Sequence, residues 1–347
     1  MVGEPVVGES TVPATIRTVA SRAGVSTATV SRVFEGITPV ADSTRAKVTA
    51  AAGELGYSRR RRSRIRPAAR YEAHGLVLAD AVGAYDSELV LGYESAAAEL
   101  GQSVALVVVR RRYDVSKALH LLAKRVDGMV IGANTVPDAV AHALSRDLPV
   151  VLLARPDVAG CGSVRADNRG SAAMLTSHLI QHGRMNLVFV GDPDISPDMS
   201  ERYTGFRTAH IAAKVPLRRP PLRVPHVEGA GVQVAEDILR RRVKVDGLVC
   251  GNDELALAII KRLKINGWHL PGDLAVVGWD DVVAARYISP GLTTVRQPIR
   301  DLGRLAAAQL HARIVGEPPA GSAQVLPTKV VLRSSCGCPE LAPLPGA

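Results

Sequence analysis

Two groups of side chains in this 347-residue chain have the type and spacing to do chemistry. The first is Thr27, Ala28 and Arg32, interleaved with Ser26, Thr29 and Ser31. Short side chains at 27 and 28 let a helix come close to base edges. A methyl there can meet a thymine methyl, and an arginine at 32 can give two hydrogen bonds to one guanine. The hydroxyls of Thr15, Ser26, Thr29 and Ser31 suit phosphate oxygens. The second group is basic: Arg59, Arg60, Arg61, Arg62, Arg64, Arg66 and Arg70, seven arginines in twelve positions. Such a block repels itself in a free chain and marks a polyanion partner.

The elements that must hold the first group are short helices. Thr15 can cap a helix whose apolar face is Ile16, Val19, Ala20 and Ala23, a 3-4-3 spacing. Gly24 ends it, and Ser26 caps a second helix with Val30, Val33 and Phe34 inward. Two short helices joined through a glycine turn form a helix-turn-helix, whose second helix enters the major groove. A third helix is expected after a cap at Asp42 or Ser43, with Val48, Ala51, Ala52 and Leu55 inward and Gly56 closing it. Duplex DNA is the expected partner.

Charge agrees with this division. Net charge is +10, and residues 1–74 hold 12 Lys/Arg against 6 Asp/Glu, while the remaining residues hold 31 against 27. Aromatics are only 3% of the chain, so the core must be Val, Leu, Ile and Ala. No run of 18 apolar residues occurs, so no membrane helix is expected. The start lacks a basic n-region and an apolar h-region, and a cytoplasmic protein is expected.

Of four cysteines, Cys161 and Cys250 stand alone and read as small buried hydrophobes. Cys336 and Cys338 form a C-x-C pair with no further Cys or His after it in the tail. Zinc and redox motifs usually have C-x-x-C spacing, so neither a metal nor a cofactor is expected.

From His74 onward, apolar runs alternate with amphipathic stretches. Gly75–Ala79, Val104–Val109, Gly128–Gly132, Val150–Ala154, Leu187–Gly191, Gly247–Gly251 and Leu274–Gly278 read as buried parallel strands. Helices are expected near Glu88–Leu100, Val115–Ala123, Asn168–His182, Glu201–Ala213, Val232–Arg241 and Glu254–Asn266. The pattern is α/β with doubly wound parallel sheets, and the number of strands suggests two lobes. Ligands of such folds sit at the carboxyl ends of strands, here in an interlobe cleft. No P-loop, G-x-S-x-G, H-E-x-x-H or G-x-G-x-x-G occurs, so an enzyme is not expected.

The stretch Ala20, Ala23-Gly24-Val25-Ser26, Thr29-Val30-Ser31-Arg32-Val33 resembles the DNA-binding head of the lactose-repressor/galactose-repressor (LacI/GalR) family. Thr44-Arg45-Ala46-Lys47-Val48 and Glu54-Leu55-Gly56-Tyr57 resemble its third helix. Thr18 and Glu35 depart from it, standing where the family usually has Asp and often has Asn. Further matches are Asp167-Asn168-Arg169-Gly170, Glu201-Arg202-Tyr203-Thr204-Gly205-Phe206, Cys250-Gly251-Asn252-Asp253 and Val276-Val277-Gly278-Trp279-Asp280-Asp281. The resemblance runs over about residues 15–334.

The resemblance implies a dimeric repressor of a palindromic operator, controlled by a sugar-like effector in a periplasmic-binding-protein-like core. It implies a helix-turn-helix domain at 15–57 after a disordered 1–14, an arginine-rich hinge at 58–73, a two-lobed effector and dimerisation domain at 74–334, and a tail at 335–347. One lobe would be about 75–165 with a returning segment near 297–324, the other about 166–292 with a final segment near 325–334. Within the hinge, Arg66 falls where the family has a leucine that wedges into the minor groove. Arginines can enter a narrow minor groove by charge alone, so Arg60, Arg61, Arg62, Arg64 and Arg66 are assigned to DNA. Effector contacts carried over to this chain are Tyr85, Asp86, Arg202, His226, Asn252, Asp280 and Gln297. Asp253 and Asp281 are expected to be caps or turn residues, and Trp279 core.

Overall fold

A computed structural model describes residues 15–35, 40–55, 71–81, 83–109, 114–240, 245–317 and 323–339. These fall into two compact units, divided between residues 69 and 70. The expected disordered start at 1–14, Gly56 and the arginines at 59–70 lie outside the described residues.

In the first unit, α1 is Ile16–Ala23, α2 Thr27–Glu35 and α3 Asp42–Glu54. Thr15 caps α1 as expected, and Thr18 completes a reciprocal capping box: each residue's side-chain oxygen accepts from the other's backbone N–H. Gly24 takes the left-handed conformation at φ 65° that ends α1. Ser26 Oγ accepts from Thr29 N at 3.1 Å and starts α2. The α3 cap differs from expectation. Ala41 holds the position with no side-chain bond, and Asp42 lies instead in the first turn, where its negative charge meets the helix dipole. Val19, Ala20, Val30, Val48, Ala51 and Ala52 form the core. Leu55 is exposed rather than inward, because α3 ends one residue before it.

The second unit begins with β1 Ala73–Leu78, α4 Ala84–Glu99, β2 Ser103–Val108, α5 Val115–Leu122, β3 Gly128–Gly132, α6 Asp138–Leu144, β4 Val150–Leu153 and β5 Gly162–Ala166. There follow α7 Arg169–Gln181, β6 Leu187–Val190, α8 Pro197–Ala212, α9 Glu228–Leu239, β7 Gly247–Cys250, α10 Asp253–Ile265, β8 Ala275–Val277, α11 Ala284–Tyr287 and β9 Thr294–Arg296. Last come α12 Ile299–Val315, β10 Ala323–Leu326 and β11 Lys329–Val331.

These elements build two lobes. The first has a parallel sheet in the order β10-β5-β4-β3-β1-β2. Its core sets Leu76, Val130, Val151 and Val164 of the sheet against Leu89 and Tyr93 of α4 and Leu302 and Leu310 of α12. The helices α4 and α12 touch backbone to backbone: a Cβ on Gly92 would lie 2.2 Å from Arg300 O, and one on Gly303 2.4 Å from Leu89 O. The second lobe has the parallel sheet β6-β7-β8. Single bridges join Leu222 to Val190 at one side and β9 at the other, where β11 pairs antiparallel with β9.

The chain crosses between lobes three times, after β5, after β9 and after β10. The expected strands are present, and β10 puts residues 325–326 in the first lobe, where the second was expected. The tail expected from residue 335 begins inside packed structure: Ser335 and Cys336 are buried in the second lobe.

Candidate functional site

On the head, α2 turns its polar side outward. Ser26, Thr27, Ala28 and Arg32 are exposed, Thr29 and Ser31 half-buried, and Thr15 exposed. Thr15 and Ser26 each accept one backbone N–H as caps, and Ser26 Oγ also shares a hydrogen bond with Thr29 Oγ1 at 2.9 Å, in which either hydroxyl can donate. An ion pair at 2.9 Å between Arg22 of α1 and Glu54 of α3 braces the back of the head.

In the second unit, polar side chains converge where β6, β7 and β8 end. Arg202 projects from α8 and is 7% exposed. Its Nε donates to Asn168 Oδ1 at 2.8 Å and its Nη1 to Gly251 O at 2.6 Å. Its guanidinium lies 4.5 Å from the Trp279 ring centroid, a cation–π contact strengthened by burial. Asp198, one turn earlier on α8, is 4.0 Å away. Arg202 is thus fixed in plane by Asn168, Gly251 and Trp279, and a guanidinium has further N–H groups beyond these two bonds.

Asp280 follows β8 at φ 120°, a strained conformation for a side-chain-bearing residue. Its N–H donates to Val295 O at 2.8 Å, and its Oδ1 accepts from Gln297 Nε2 at 2.6 Å. Burial pushes the Asp280 carboxyl up to about 7 although Arg202 pulls it down. Burial likewise pushes Asp198 up to about 6. Tyr85, at the start of α4, faces them from the first lobe. Burial raises its phenol, with Asp198, Asp280 and Asp86 adding and Arg202 opposing, so it stays a neutral hydrogen-bond donor and acceptor. His226 is pushed down to about 4 by burial and then by Arg202, which makes it a neutral imidazole. Three buried polar atoms here have no hydrogen-bond partner among the described residues: His226 Nε2, Gln297 Oε1 and Trp279 Nε1.

Asn252 differs in role. Its Oδ1 accepts from Leu255 N at 3.1 Å, which makes it the N-cap of α10, so only its amide donors remain for a ligand. Asp86 is half-buried in the first turn of α4. Asp253 and Asp281 are structural, as expected. Asp253 accepts from Thr294 Oγ1 and Val282 N, and Asp281 is gripped by Arg296 and Arg333. Trp279 is core by burial, yet its face supports Arg202.

Three contributors were missed in the sequence: Asn168, Asp198 and the Trp279 indole. Asn168 stands in the noticed Asp167-Asn168-Arg169-Gly170, and Asp198 lies four residues before Arg202, on the same helix face. A cleft of about 390 Å³ lies between Ala84, Ser87 and Glu88 of the first lobe and Asp280, Val282 and Arg286 of the second, within the range of small-ligand sites; of the candidate effector residues, Asp280 and Gln297 line it, and Arg202, Tyr85, His226 and Asn252 lie outside its lining. Elsewhere between the lobes, Arg165 of β5 meets Glu201 of α8 at 2.7 Å.

The arrangement offers donors and acceptors to a neutral, hydroxyl-rich molecule: Arg202, Tyr85 and Trp279 donate, while Asp280 and Gln297 Oε1 accept. Comparison with known proteins agrees on both units. Residues 15–60 match the family model of bacterial regulatory proteins, lacI family, and residues 176–336 match that of the periplasmic binding protein-like domain. The chain is 32% identical over 331 residues to the HTH-type transcriptional repressor PurR of Proteus mirabilis, covering 92% of this chain and 96% of that one. Among solved structures it is similar to the complex of the transcriptional regulator CelR with cellobiose, at TM-score 0.68 and 29% identity, covering 93% of this chain and 99% of that one. It is also similar to the Lac repressor dimer bound to operator and the anti-inducer ONPF, at TM-score 0.69 and 27% identity, with the same coverage. No helix among the described residues is long and apolar enough to cross a membrane. With a helix-turn-helix head, a two-lobed α/β core and relatives that match nearly end to end, the chain is a DNA-binding transcriptional regulator and belongs to the lacI family.

Proposed function

We propose that this chain is a cytoplasmic repressor, not an enzyme, that binds a palindromic operator as a dimer and changes its affinity when a sugar or sugar-like molecule enters the interlobe cleft. The organisation is a DNA-binding domain at 15–57, a hinge at 58–73 and an effector domain from 74 onward. Thr27, Ala28 and Arg32 read bases. Thr15, Ser26, Thr29 and Ser31, with Arg60, Arg61, Arg62 and Arg64, hold phosphates, and Arg66 enters the minor groove. A relative bound to operator as a dimer and another bound to cellobiose support the two halves of this reading.

The observation that carries the effector assignment is the set of unpartnered buried polar atoms on His226, Gln297 and Trp279 around Arg202 and Asp280. A buried polar atom without a partner costs about 1–3 kcal/mol, and a hydroxyl-rich ligand supplies the missing partners. Tyr85 closes the ligand's other face, Asp86 adds negative charge behind it, and Asn252 contributes only its amide donors.

Calorimetry against a panel of mono- and disaccharides tests this. One or more should bind the wild type, and Arg202→Ala should lose that binding while keeping operator affinity in a gel-shift titration. Arg32→Ala should do the reverse, losing about 1–3 kcal/mol on operator. Undiminished sugar affinity in Arg202→Ala would remove the effector site from this cleft.

A further inference from the structure

The C-x-C pair near the end of the chain has a setting that its sequence neighbourhood does not reveal. The short 3-10 turn Ser334–Cys336 brings it against the carboxyl end of α7. There, His178 and His182, four residues apart, face the same side, with ring centroids 4.4 Å apart. The distances are close. His178 Nε2 is 3.3 Å from Cys336 Sγ and 3.4 Å from Cys338 Sγ, and His182 Nε2 is 3.7 Å from Cys338 Sγ. The ligating atoms of His178, His182 and Cys338 all lie within 4.8 Å of one another.

Hydrogen bonding accounts for the Cys336 thiol, which donates to Arg333 O at 3.2 Å, but it accounts poorly for two sulfur atoms gathered at one imidazole nitrogen. An imidazole Nε2 has one hydrogen or one lone pair, in one in-plane direction. It cannot serve two sulfur atoms at nearly equal distance. A tetrahedral ion can. With Zn–S about 2.3 Å and Zn–N about 2.0–2.1 Å, the S···N edge of a tetrahedral site is about 3.5 Å, and the observed separations bracket it. Gly337 makes the approach feasible. It sits at φ 107°, which glycine tolerates, and a Cβ there would lie 3.3 Å from His182 Nδ1.

The surroundings also suit a held ligand. Cys336 is fully buried, and Thr293 Oγ1, whose one proton can go to Arg333 O at 2.9 Å or to Cys336 Sγ at 3.1 Å, lies within reach of the sulfur. A hydrogen bond to a thiolate of this kind orients it for a metal. Cys338 and His182 stand on the accessible rim, giving an entry path.

We propose that His178, His182, Cys336 and Cys338 form a tetrahedral Cys2His2 site for a zinc-like divalent ion that fastens residues 334–338 to α7. Two thiolates and two imidazoles select a borderline-soft metal over calcium or magnesium. Binding releases the two thiol protons to solvent, and the two thiolate charges neutralise the dication. The site is separate from the effector cleft: α7 carries Asn168 at its other end, more than two turns away along the helix.

The test uses the full-length chain, purified under reducing conditions, stripped with a chelator and titrated anaerobically with Co2+. One equivalent should bind, with thiolate-to-cobalt charge-transfer absorption in the near ultraviolet and intense visible bands of tetrahedral cobalt. Zn2+ should displace it and raise the unfolding temperature. Cys338→Ser and His182→Gln, both on the rim, should each weaken Zn2+ binding by more than about tenfold. The proposal is overturned if the reduced wild type gives no charge-transfer band, or if both variants bind as tightly as wild type. It is equally overturned if the native protein carries a Cys336–Cys338 disulfide and no metal.

Discussion

Arg165, near the end of a first-lobe strand, and Glu201, on a second-lobe helix, meet at 2.7 Å and so tie the two lobes together close to the crossover after β5. Both side chains are about a third exposed, at 27% and 32%. Such a pair contributes about 0.2–1 kcal/mol, up to roughly fivefold in an equilibrium. Glu201→Gln should therefore loosen closure and weaken effector binding by a few-fold without touching the effector. Calorimetry with small-angle scattering checks this; unchanged affinity and unchanged compactness would show that the pair is not a latch.

The Asp280 carboxyl gives a pH signature. Its value rises from 3.8 to about 7 on burial, so between about pH 4 and 7 the folded chain holds a proton that the unfolded chain has lost. Stability must fall as pH rises through that window and level off above it. Asp198 and Asp253, each pushed up to about 6, act in the same direction. Asp280→Asn should flatten the decline and raise the unfolding temperature at about pH 8. A ligand that donates hydroxyls to this carboxylate favours its ionised form, so binding near pH 6–7 should release protons. Buffer-dependent binding enthalpies measure that release, and none would mean that the carboxyl stays out of the contact.

Thr18 departs from the family's usual residue yet keeps its work. Its Oγ1 accepts from Thr15 N at 2.8 Å and donates to Thr15 O at 2.7 Å. Thr18→Ala should destabilise the head by about 0.5–2 kcal/mol, while Thr18→Asp should restore it. Differential scanning calorimetry of the head transition is the measurement, and an unshifted Thr18→Ala would refute the cap.

The arginine run predicts a steep salt dependence of DNA binding. Replacing Arg60, Arg61 and Arg62 together by Gln should flatten the slope of log affinity against log salt by about 0.9 for each phosphate that is no longer neutralised. Operator and random duplex should weaken in parallel, since phosphate contacts carry little sequence information. Equal slopes in wild type and variant would make the run a solvated linker.

Much of this was legible because periodicity reports burial. The helix-turn-helix was readable from Ile16, Val19 and Ala20, and the parallel strands from runs such as Met129–Ile131, fully buried in the structure. What resisted had a physical cause. The helix α12, at 17 residues among the longest described, buries Leu302, Ala306 and Leu310 among interspersed arginines, which blurs its apolar stripe. Strands β9 and β11 have three residues each, too few for alternation to register. Asn252 could be read either as a ligand group or as a cap, because the two uses take the same residue type; its Oδ1 caps α10 and its amide N–H groups are not used in that bond. His178 and His182 are ordinary helical histidines until the fold brings beside them Cys338, from 156 to 160 residues away, together with its neighbour Cys336.

The triple crossing between lobes bears on how the chain is made. The first lobe's sheet takes its edge strand from residues 323–326, and the second lobe's outer strand comes from 329–331. A ribosome delivers these segments after β1 to β9. Neither lobe can seal its edge as it emerges, so α4 waits through some two hundred residues of synthesis for α12 to cover it. Domains that can fold one after another during translation usually do so; here the two lobes must be completed almost together, once residues 323–331 have been made. A nascent chain stalled before residue 299 would expose the apolar face of α4 and the edge of β5, and would be a natural client for chaperones.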